Sequence, residues 1–224
     1  MASSESPYLY RILTFDRIVD LFETCSLHFS SPTTWLDPFE KTFQHRRSHA
    51  IFAQCWSKTA VSDAMWRIYS PQATSVRIRT TRTKLASALR TASFSGQVRW
   101  FLDDVEYLST SKLTSRLLRL RQLIQPSFDL QAAMRGLFLK REAFDYESEV
   151  RALIHCEDDD LVPNRRHVRV AVDPHVLIES IMFDPRADDA LVKVCKFYLT
   201  NSIHFKGDIG KSALYRVRRV IVAE

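Results

Sequence analysis

The segment Tyr-Glu-Ser-Glu-Val-Arg-Ala-Leu-Ile, residues 146–154, is the part of this sequence that most constrains the fold. Charged residues at 147, 149 and 151 alternate with small or apolar ones, and an alternation of period two is typical of a β-strand. Glu147, Glu149 and Arg151 are therefore predicted to share one face, with consecutive side chains roughly 6.5–7 Å apart. That spacing lets two carboxylates reach different atoms of one ligand. The alternative is a solvated strand face on which Glu149 and Arg151 screen each other.

Residues on both sides of this segment form a succession of strand and helix patterns. The predicted strands are 8–13, 27–29, 51–56, 76–79, one or two within 98–107, 147–156, 167–172, 180–183 and 214–222. The predicted helices begin after Thr14 or Asp16 and after Ser62, and cover 84–91, 111–125, 129–141 and 187–198. The chain has only 4 Gly residues and no repeat or linker. The pattern indicates one α+β domain over residues 1–224, with helices packed on a bent, antiparallel-rich sheet.

The composition fits a folded protein without a membrane segment. Of the 224 residues 46% are hydrophobic and 14 are Phe, enough to form a buried core. No run approaches the roughly 18 apolar residues of a membrane span. Residues 1–7 lack the basic and apolar parts of a secretory signal. We therefore expect a soluble cytoplasmic protein with no membrane partner.

The charge is mildly basic, with a formal net value of +6. Arg residues cluster at 116, 119 and 121, at 165, 166 and 169, and at 216, 218 and 219. A basic surface favours polyanions such as nucleic acid or the phosphates of a nucleotide, and Arg makes planar bidentate contacts to phosphate. Plain solubility explains the same charge, so composition alone does not choose between them.

The Cys and His residues show no metal-ligand spacing. No two of the 4 Cys form a C-x-x-C pair, and all are expected to be reduced residues of the core or strands. His45 and His49 lie four apart but have no carboxylate or third ligand near them in sequence. No metal site is expected.

Two clusters in the first half of the chain contain a charged residue in a constrained position, one on a predicted strand and one in a predicted turn. Arg11 follows Tyr10 on a strand of buried type, so its charge needs either an anionic ligand or a salt bridge to Asp37 or Glu40. Asp37 precedes Pro38, which holds it extended and lets its side chain cap a turn.

Two further clusters offer rings and a cation. Trp66 and Tyr69 are three apart, so they share a helix face and either fill the core or offer rings for stacking. Lys140 lies shortly before the two carboxylates. It could neutralise them, contact a phosphate, or complement the dipole at a helix end.

Taken in order, these clusters resemble a family of uncharacterised bacterial proteins found with abortive-infection and phage-defence genes. The matching segments are Leu9-Tyr10-Arg11, Trp35 to Glu40, Met65-Trp66 with Tyr69, Ser75 to Ile78, Phe138-Leu139-Lys140, Tyr146 to Arg151 and Lys211 to Tyr215. Two positions depart from the pattern. Leu36 replaces an Asn and Ser75 replaces a Gly, which predicts a diverged or weakened site.

The layout is also similar to the ADP-ribosyltransferase superfamily, although the Ser-Thr-Ser motif of that superfamily is absent here. The resemblance implies NAD as substrate, with no metal. It implies that Tyr10, Arg11, Trp66, Tyr69, Lys140 and Arg151 bind NAD, with Asp37 and Glu40 as structural neighbours. Arg11 would hold a phosphate or ribose and Tyr69 would stack on nicotinamide. Glu149 would stabilise the oxocarbenium-like centre, while Glu147 orients the acceptor or a water.

Three functions follow as hypotheses. The first is an effector or toxin of anti-phage defence that cleaves NAD or transfers ADP-ribose to a protein or nucleic acid, with a neutralising or sensor partner. It predicts that Arg11, Glu147 and Glu149 converge in one pocket lined by Trp66 and Tyr69. The second is a non-catalytic module that binds nucleic acid or a nucleotide through one exposed basic stripe, with both Glu side chains facing solvent. A nuclease holding a divalent ion ranks last.

Overall fold

The computed structural model describes residues 7–35, 37–91, 98–125, 127–156 and 166–216. In these ranges the strands are β1 (Tyr8–Thr14), β2 (Ser26–Ser30), β3 (Ile51–Ser57), β4 (Ser75–Thr81), β5 (Val98–Asp104), β6 (Glu106–Leu108), β7 (Leu139–Arg141), β8 (Glu149–Cys156), β9 (His167–Ala171), β10 (Ser180–Phe183) and β11 (Asp208–Lys211). The α-helices are α1 (Phe15–Glu23), α2 (Asp63–Tyr69), α3 (Arg82–Thr91), α4 (Thr110–Ile124), α5 (Leu130–Gly136), α6 (Pro174–Leu177) and α7 (Asp189–Asn201). None of these helices is long and apolar enough to cross a membrane.

Nine of the strands form one sheet, in which every pairing is antiparallel except that of β10 with β11. The order β11-β10-β4-β1-β3-β2-β9 is branched, because β8 pairs along the whole of β3 and carries β5 on its far edge. The short strands β6 and β7 form a separate parallel pair. The predicted α+β class and antiparallel-rich sheet are confirmed.

The sheet splits along one edge of β3. Since β8 occupies the other edge, β1 and β2 share this one, and each meets β3 at a single residue pair: Tyr10 with Ser57, and Ser30 with Ala53. Between these two contacts β1 and β2 diverge, and the sheet opens. This opening is the structural origin of the cleft described below.

Two apolar layers cover the central strands. The main core lies on the face of β8 that presents Val150, Ala152 and Ile154, and helices α1, α3 and α7 close it. The opposite face presents Leu153, which packs under α5 with Met134. Every residue of β8 is therefore buried. The sequence alternative of a solvated face for Glu149 and Arg151 is wrong, because α5 and the segment after it cover that face.

Three predicted elements differ most in extent from the observed ones. The strand predicted from 147 begins at Glu149, because residues 142–147 form a 3-10 helix and Ser148 has φ 43°. The helix predicted over 129–141 ends at Gly136, and Lys140 lies on β7, which pairs with β6. Residues 214–216 form a turn where a strand was predicted, and residues 217–222 of that prediction lie outside the described residues.

Candidate active site

A cleft of about 460 Å³ opens where β1 and β2 diverge. Its volume lies within the range of ordinary small-molecule sites, roughly 300–1,000 Å³. All ten residues that the sequence analysis proposed surround this single cleft: Tyr10, Arg11, Asp37, Glu40, Trp66, Tyr69, Lys140, Glu147, Glu149 and Arg151. The fold thus brings together residues that are up to 141 positions apart, from Tyr10 to Arg151.

Glu147 and Glu149 are joined by one ammonium group. Lys140 Nζ donates to Glu147 Oε2 at 2.5 Å and to Glu149 Oε2 at 3.1 Å, and all three side chains are less than a tenth exposed. Placement of Lys140 on β7, rather than at the predicted helix end, aims it at this pair. Its proposed alternative role at a helix dipole is therefore not what the structure shows.

Glu147 reaches the cleft from a turn rather than from the strand. Ser148 adopts a left-handed conformation, and Ser57 Oγ donates to the Glu147 carbonyl at 2.6 Å, which ties the turn to the end of β3. A left-handed non-glycine residue costs roughly 1–2 kcal/mol, so the surrounding contacts must hold it. The carboxylate is fixed by Lys140 and by the Tyr69 hydroxyl, which donates to Glu147 Oε1 at 3.2 Å.

Arg151 holds Glu149 from behind the cleft. Its Nε and Nη2 donate to the two carboxylate oxygens of Glu149 at 2.8 and 3.0 Å, and its Nη1 donates to the Leu137 carbonyl at 2.5 Å. Nη2 also donates to Glu40, and the guanidinium lies 4.1 Å from the ring centre of Trp35. Arg151 is only 1% exposed, so these contacts leave it as a support for Glu149 rather than a group open to a ligand.

The ionisation of this cluster follows from its pairing. Burial by itself would raise the pKa of Glu149, but the charge and hydrogen bonds of Arg151, with Lys140 and Cys55, outweigh it and lower that pKa to about 2. Burial likewise disfavours the Lys140 cation, but the carboxylates of Glu149, Glu40 and Glu147 raise its pKa above the ordinary value. For Glu40 burial dominates and raises the pKa, because its partner Arg151 is shared with Glu149.

Asp37 and Glu40 have partners of their own. Asp37 Oδ1 accepts from the backbone N–H of Phe39 at 3.0 Å, which caps the 3-10 helix Pro38–Lys41, and it pairs with Arg141 at 2.8 Å. Glu40 pairs with Arg151. Neither carboxylate neutralises Arg11, so the salt bridge that the sequence left open as an alternative does not form. Leu36, one of the two departures from the family pattern, lies outside the described residues.

Arg11 and Arg77 are two cations of the cleft that have no carboxylate partner among the described residues. Among the described residues, no carboxylate lies within 4.0 Å of either guanidinium. Burial lowers the pKa of Arg11 to about 10, only partly offset by Cys55, so the group stays charged at neutral pH. Burial also lowers the pKa of Arg77, whose guanidinium lies over the ring of Tyr10 with 4.9 Å to its centre.

Helix α2 places the two rings differently. Trp66 is 1% exposed and fills the core behind the cleft, whereas Tyr69 is 42% exposed at its mouth. The helix begins at the Ser62 cap, and Arg186 Nη2 donates to the carbonyls of Trp66 and Ser70 at its end. Tyr69 is therefore the ring of this pair that a ligand can reach.

Cys55 and Arg77 also line the cleft, and the sequence analysis did not propose either as a site residue. Burial and the neighbouring Glu149 carboxylate raise the pKa of Cys55 well above its ordinary value, so the thiol stays protonated. The alternation Val76-Arg77-Ile78-Arg79 signals a charged strand face. Only the pairing of β4 with β1 shows that Arg77 faces the cleft. Within the described ranges, no cluster of three or more His, Cys, Asp or Glu side chains suits a metal ion.

Comparisons with known proteins give one family model that matches part of the chain and a set of partial structural likenesses. A family model described as "Protein of unknown function (DUF2971)" matches residues 65–152, and no curated protein matches. Three similar solved structures are of Thermus sp. 2.9 DarT. In complex with carba-NAD+ the TM-score is 0.43 at 10% identity, over 94% of this chain and 97% of that one. In complex with NAD+ the TM-score is 0.44 at 9% identity, over 95% of this chain and 98% of that one. In complex with ADP-ribosylated ssDNA the TM-score is 0.46 at 11% identity, over 95% of this chain and 97% of that one.

Proposed function

We propose that this protein cleaves NAD at the bond between nicotinamide and ribose and transfers the ADP-ribose to an acceptor nucleophile. The observation that carries the proposal is the division of charge within the cleft. The buried group of Glu40, Glu147, Glu149, Lys140 and Arg151 combines three carboxylates with two cations, which leaves a formal charge of −1. Arg11 and Arg77 add two positive charges to the same cleft, and no carboxylate of the described residues pairs with either.

NAD has the complementary distribution of charge. Its nicotinamide ring is a cation and its diphosphate is an anion, so the carboxylate group suits the first and the two Arg residues suit the second. Three strand spacings, from β8 through β3 and β1 to β4, separate Glu149 from the row of Arg79, and Arg77 lies two residues further along β4, so the backbones of Glu149 and Arg77 are roughly 16 Å apart. A ligand that engages both ends must therefore be extended.

Glu149 is the group we assign to the reacting centre. As the bond from C1′ to the nicotinamide nitrogen breaks, its electron pair leaves with nicotinamide and positive charge develops on the ribose. A carboxylate that stays ionised at neutral pH stabilises that charge more in the transition state than in the ground state. Arg151 and Lys140 keep it ionised and fixed, so no reorganisation is needed as the charge develops.

Glu147 and Tyr69 suit the second half of the reaction. The acceptor, water or a nucleophilic atom of a macromolecule, forms the new bond to C1′ and gives up its proton. Glu147 accepts a hydrogen bond from the half-exposed Tyr69. Its carboxylate can accept a hydrogen bond from the acceptor and take up that proton.

A second depression near the cleft suits a nucleic-acid acceptor. It has a volume of about 310 Å³ and is lined by Phe43, Gln44, His45, Arg46, Arg121, Ile124, Gln125, Ser127 and Phe128, with no carboxylate among them. Phe128 and His45 lie 5.2 Å apart, and burial lowers the pKa of His45 to about 4, so its ring is neutral. Rings beside Arg residues are typical of single-strand binding surfaces. Glu40 of the cleft is only three residues from Phe43, at most about 11 Å of chain.

The family resemblance extends this proposal to the cell. We propose an effector of bacterial anti-phage defence that acts inside the cell and is held in check by a neutralising or sensor partner. Uncontrolled NAD cleavage depletes a central cofactor, which gives a reason for such control.

Nicotinamide release tests the proposed reaction. The purified protein is incubated with NAD and cell lysate, and wild type is compared with Glu149→Gln. Glu142→Gln is the matched control, because Glu142 is an exposed carboxylate on the same segment. We expect release by wild type and by the control, and a loss of at least about 100-fold in Glu149→Gln. Equal release by folded Glu149→Gln, or no release by wild type, contradicts the proposal.

A further inference from the structure

Arg77 and Arg79 occupy equivalent positions on β4 but have different surroundings. Both lie on the same face, two residues apart, and each places its guanidinium over a tyrosine ring of β1, Arg77 over Tyr10 and Arg79 over Tyr8 at 4.9 and 4.7 Å. Arg79 also pairs with Glu179 at 3.4 Å and Asp208 at 3.8 Å. Arg77, the one of the two that lines the cleft, has no carboxylate in reach among the described residues.

From this contrast we infer that Arg77 is the anion-binding residue on the carboxylate side of the sheet and that it holds the diphosphate of a nucleotide. The inference deepens the proposed function and rests on it for the identity of the nucleotide as NAD. It assigns the diphosphate to Arg77, a residue that the family resemblance did not include.

The pleat of β1 separates the two Arg residues. Arg11 pairs with Ile78, whereas Ile12 pairs with Arg77 and Tyr10 with Arg79. Since directly paired residues share a face, Arg77 lies on the face of Tyr10, and through Tyr10 and Ser57 on that of Glu149. Arg11 leaves β1 on the other face, beside the opening between β1 and β2. The Arg on the same face as the proposed reacting carboxylate is therefore Arg77.

The surroundings of Arg77 orient its guanidinium without neutralising it. The ring of Tyr10 lies beneath the guanidinium, and the guanidinium carbon lies 5.9 Å from the centre of the Trp66 ring. Stacking on aromatic faces fixes the plane of an Arg side chain and leaves its N–H groups free for bidentate contact with phosphate. Trp66 is itself fixed, because Arg186 binds its carbonyl at the end of α2. Arg77 is therefore a half-buried cation held by rings, with no compensating anion among the described residues, and such a cation is suited to an anionic ligand.

Binding of ADP tests the inference without requiring NAD cleavage. Isothermal titration with ADP compares wild type with Arg77→Gln, Arg77→Lys and the control Arg79→Gln, and thermal unfolding checks that each variant is folded. We expect Arg77→Gln to weaken ADP binding by about 10- to 100-fold, the usual effect of losing a charge-assisted contact. Arg77→Lys should retain only part of the ADP affinity of wild type, because an ammonium group lacks the planar, bidentate N–H groups of a guanidinium. Arg79→Gln should bind as wild type does.

The outcomes separate this inference from the proposed function. If wild type binds no ADP at millimolar concentration, or if Arg77→Gln and Arg79→Gln bind equally well, the assignment is overturned. If ADP binding depends on Arg77 but no nicotinamide is released from NAD, the diphosphate site stands and the proposed reaction fails. If NAD is cleaved and Arg77→Gln leaves the KM for NAD unchanged, the reaction stands and Arg77 is not its diphosphate ligand.

Discussion

Glu149→Gln should make the protein less stable at neutral pH and less sensitive to acid. The pKa of Glu149 falls from 4.5 to about 2 on folding. At about 1.4 kcal/mol for each pKa unit, the ionised carboxylate contributes on the order of 3 kcal/mol to the free energy of unfolding. Because the folded pKa lies below the unfolded one, this contribution is complete above about pH 5. It is lost as the pH falls through the range from about 4.5 to about 2.

Urea unfolding of wild type and Glu149→Gln at several pH values measures this contribution. The difference in unfolding free energy between the two proteins should decrease from pH 7 to pH 3, by about 2 kcal/mol of the 3 available. Glu142→Gln removes an exposed carboxylate from the same segment, so its difference from wild type should stay within about 0.5 kcal/mol at each pH. A difference between wild type and Glu149→Gln that does not change with pH would refute the reasoning that Arg151 and Lys140 hold this carboxylate ionised.

Three further predictions concern single contacts of the cleft. Asp37→Ala should lower the free energy of unfolding by about 1–2 kcal/mol, because it removes a helix cap and an ion pair. Chemical denaturation measures this, and an unchanged free energy of unfolding would show that those contacts do not contribute. Iodoacetamide at pH 8 should modify the exposed Cys25 well before Cys55, because the raised pKa of Cys55 keeps that residue a thiol. Peptide mass spectrometry that found Cys55 alkylated first would contradict this. Tyr69→Phe should change stability by less than about 1.5 kcal/mol but slow nicotinamide release, since it removes the hydroxyl that orients Glu147; unchanged kinetics would exclude that role.

Local pattern was sufficient for most of the secondary structure. The alternation after residue 149 predicts β8, and the apolar periodicity of 111–125 predicts a helix that the structure places at Thr110–Ile124. The errors lie where pairing with a strand distant in sequence decides the secondary structure of a segment. The helix predicted to Arg141 stops at Gly136 because residues 139–141 pair with β6, a contact that helical periodicity cannot show.

The composition of the candidate site was also visible in the sequence, but the division of labour within it was not. The sequence determined that carboxylates, cations and rings recur in short segments, and that Glu149 and Arg151 share one face of a strand. Only the tertiary structure decided that this face is buried under α5, which makes Arg151 a support. It also decided that Lys140 joins the two carboxylates and that Arg77 lines the cleft with no carboxylate partner among the described residues. The physical reason is that side-chain alternation is a property of the local backbone, whereas burial and charge pairing depend on which distant strand or helix covers each face.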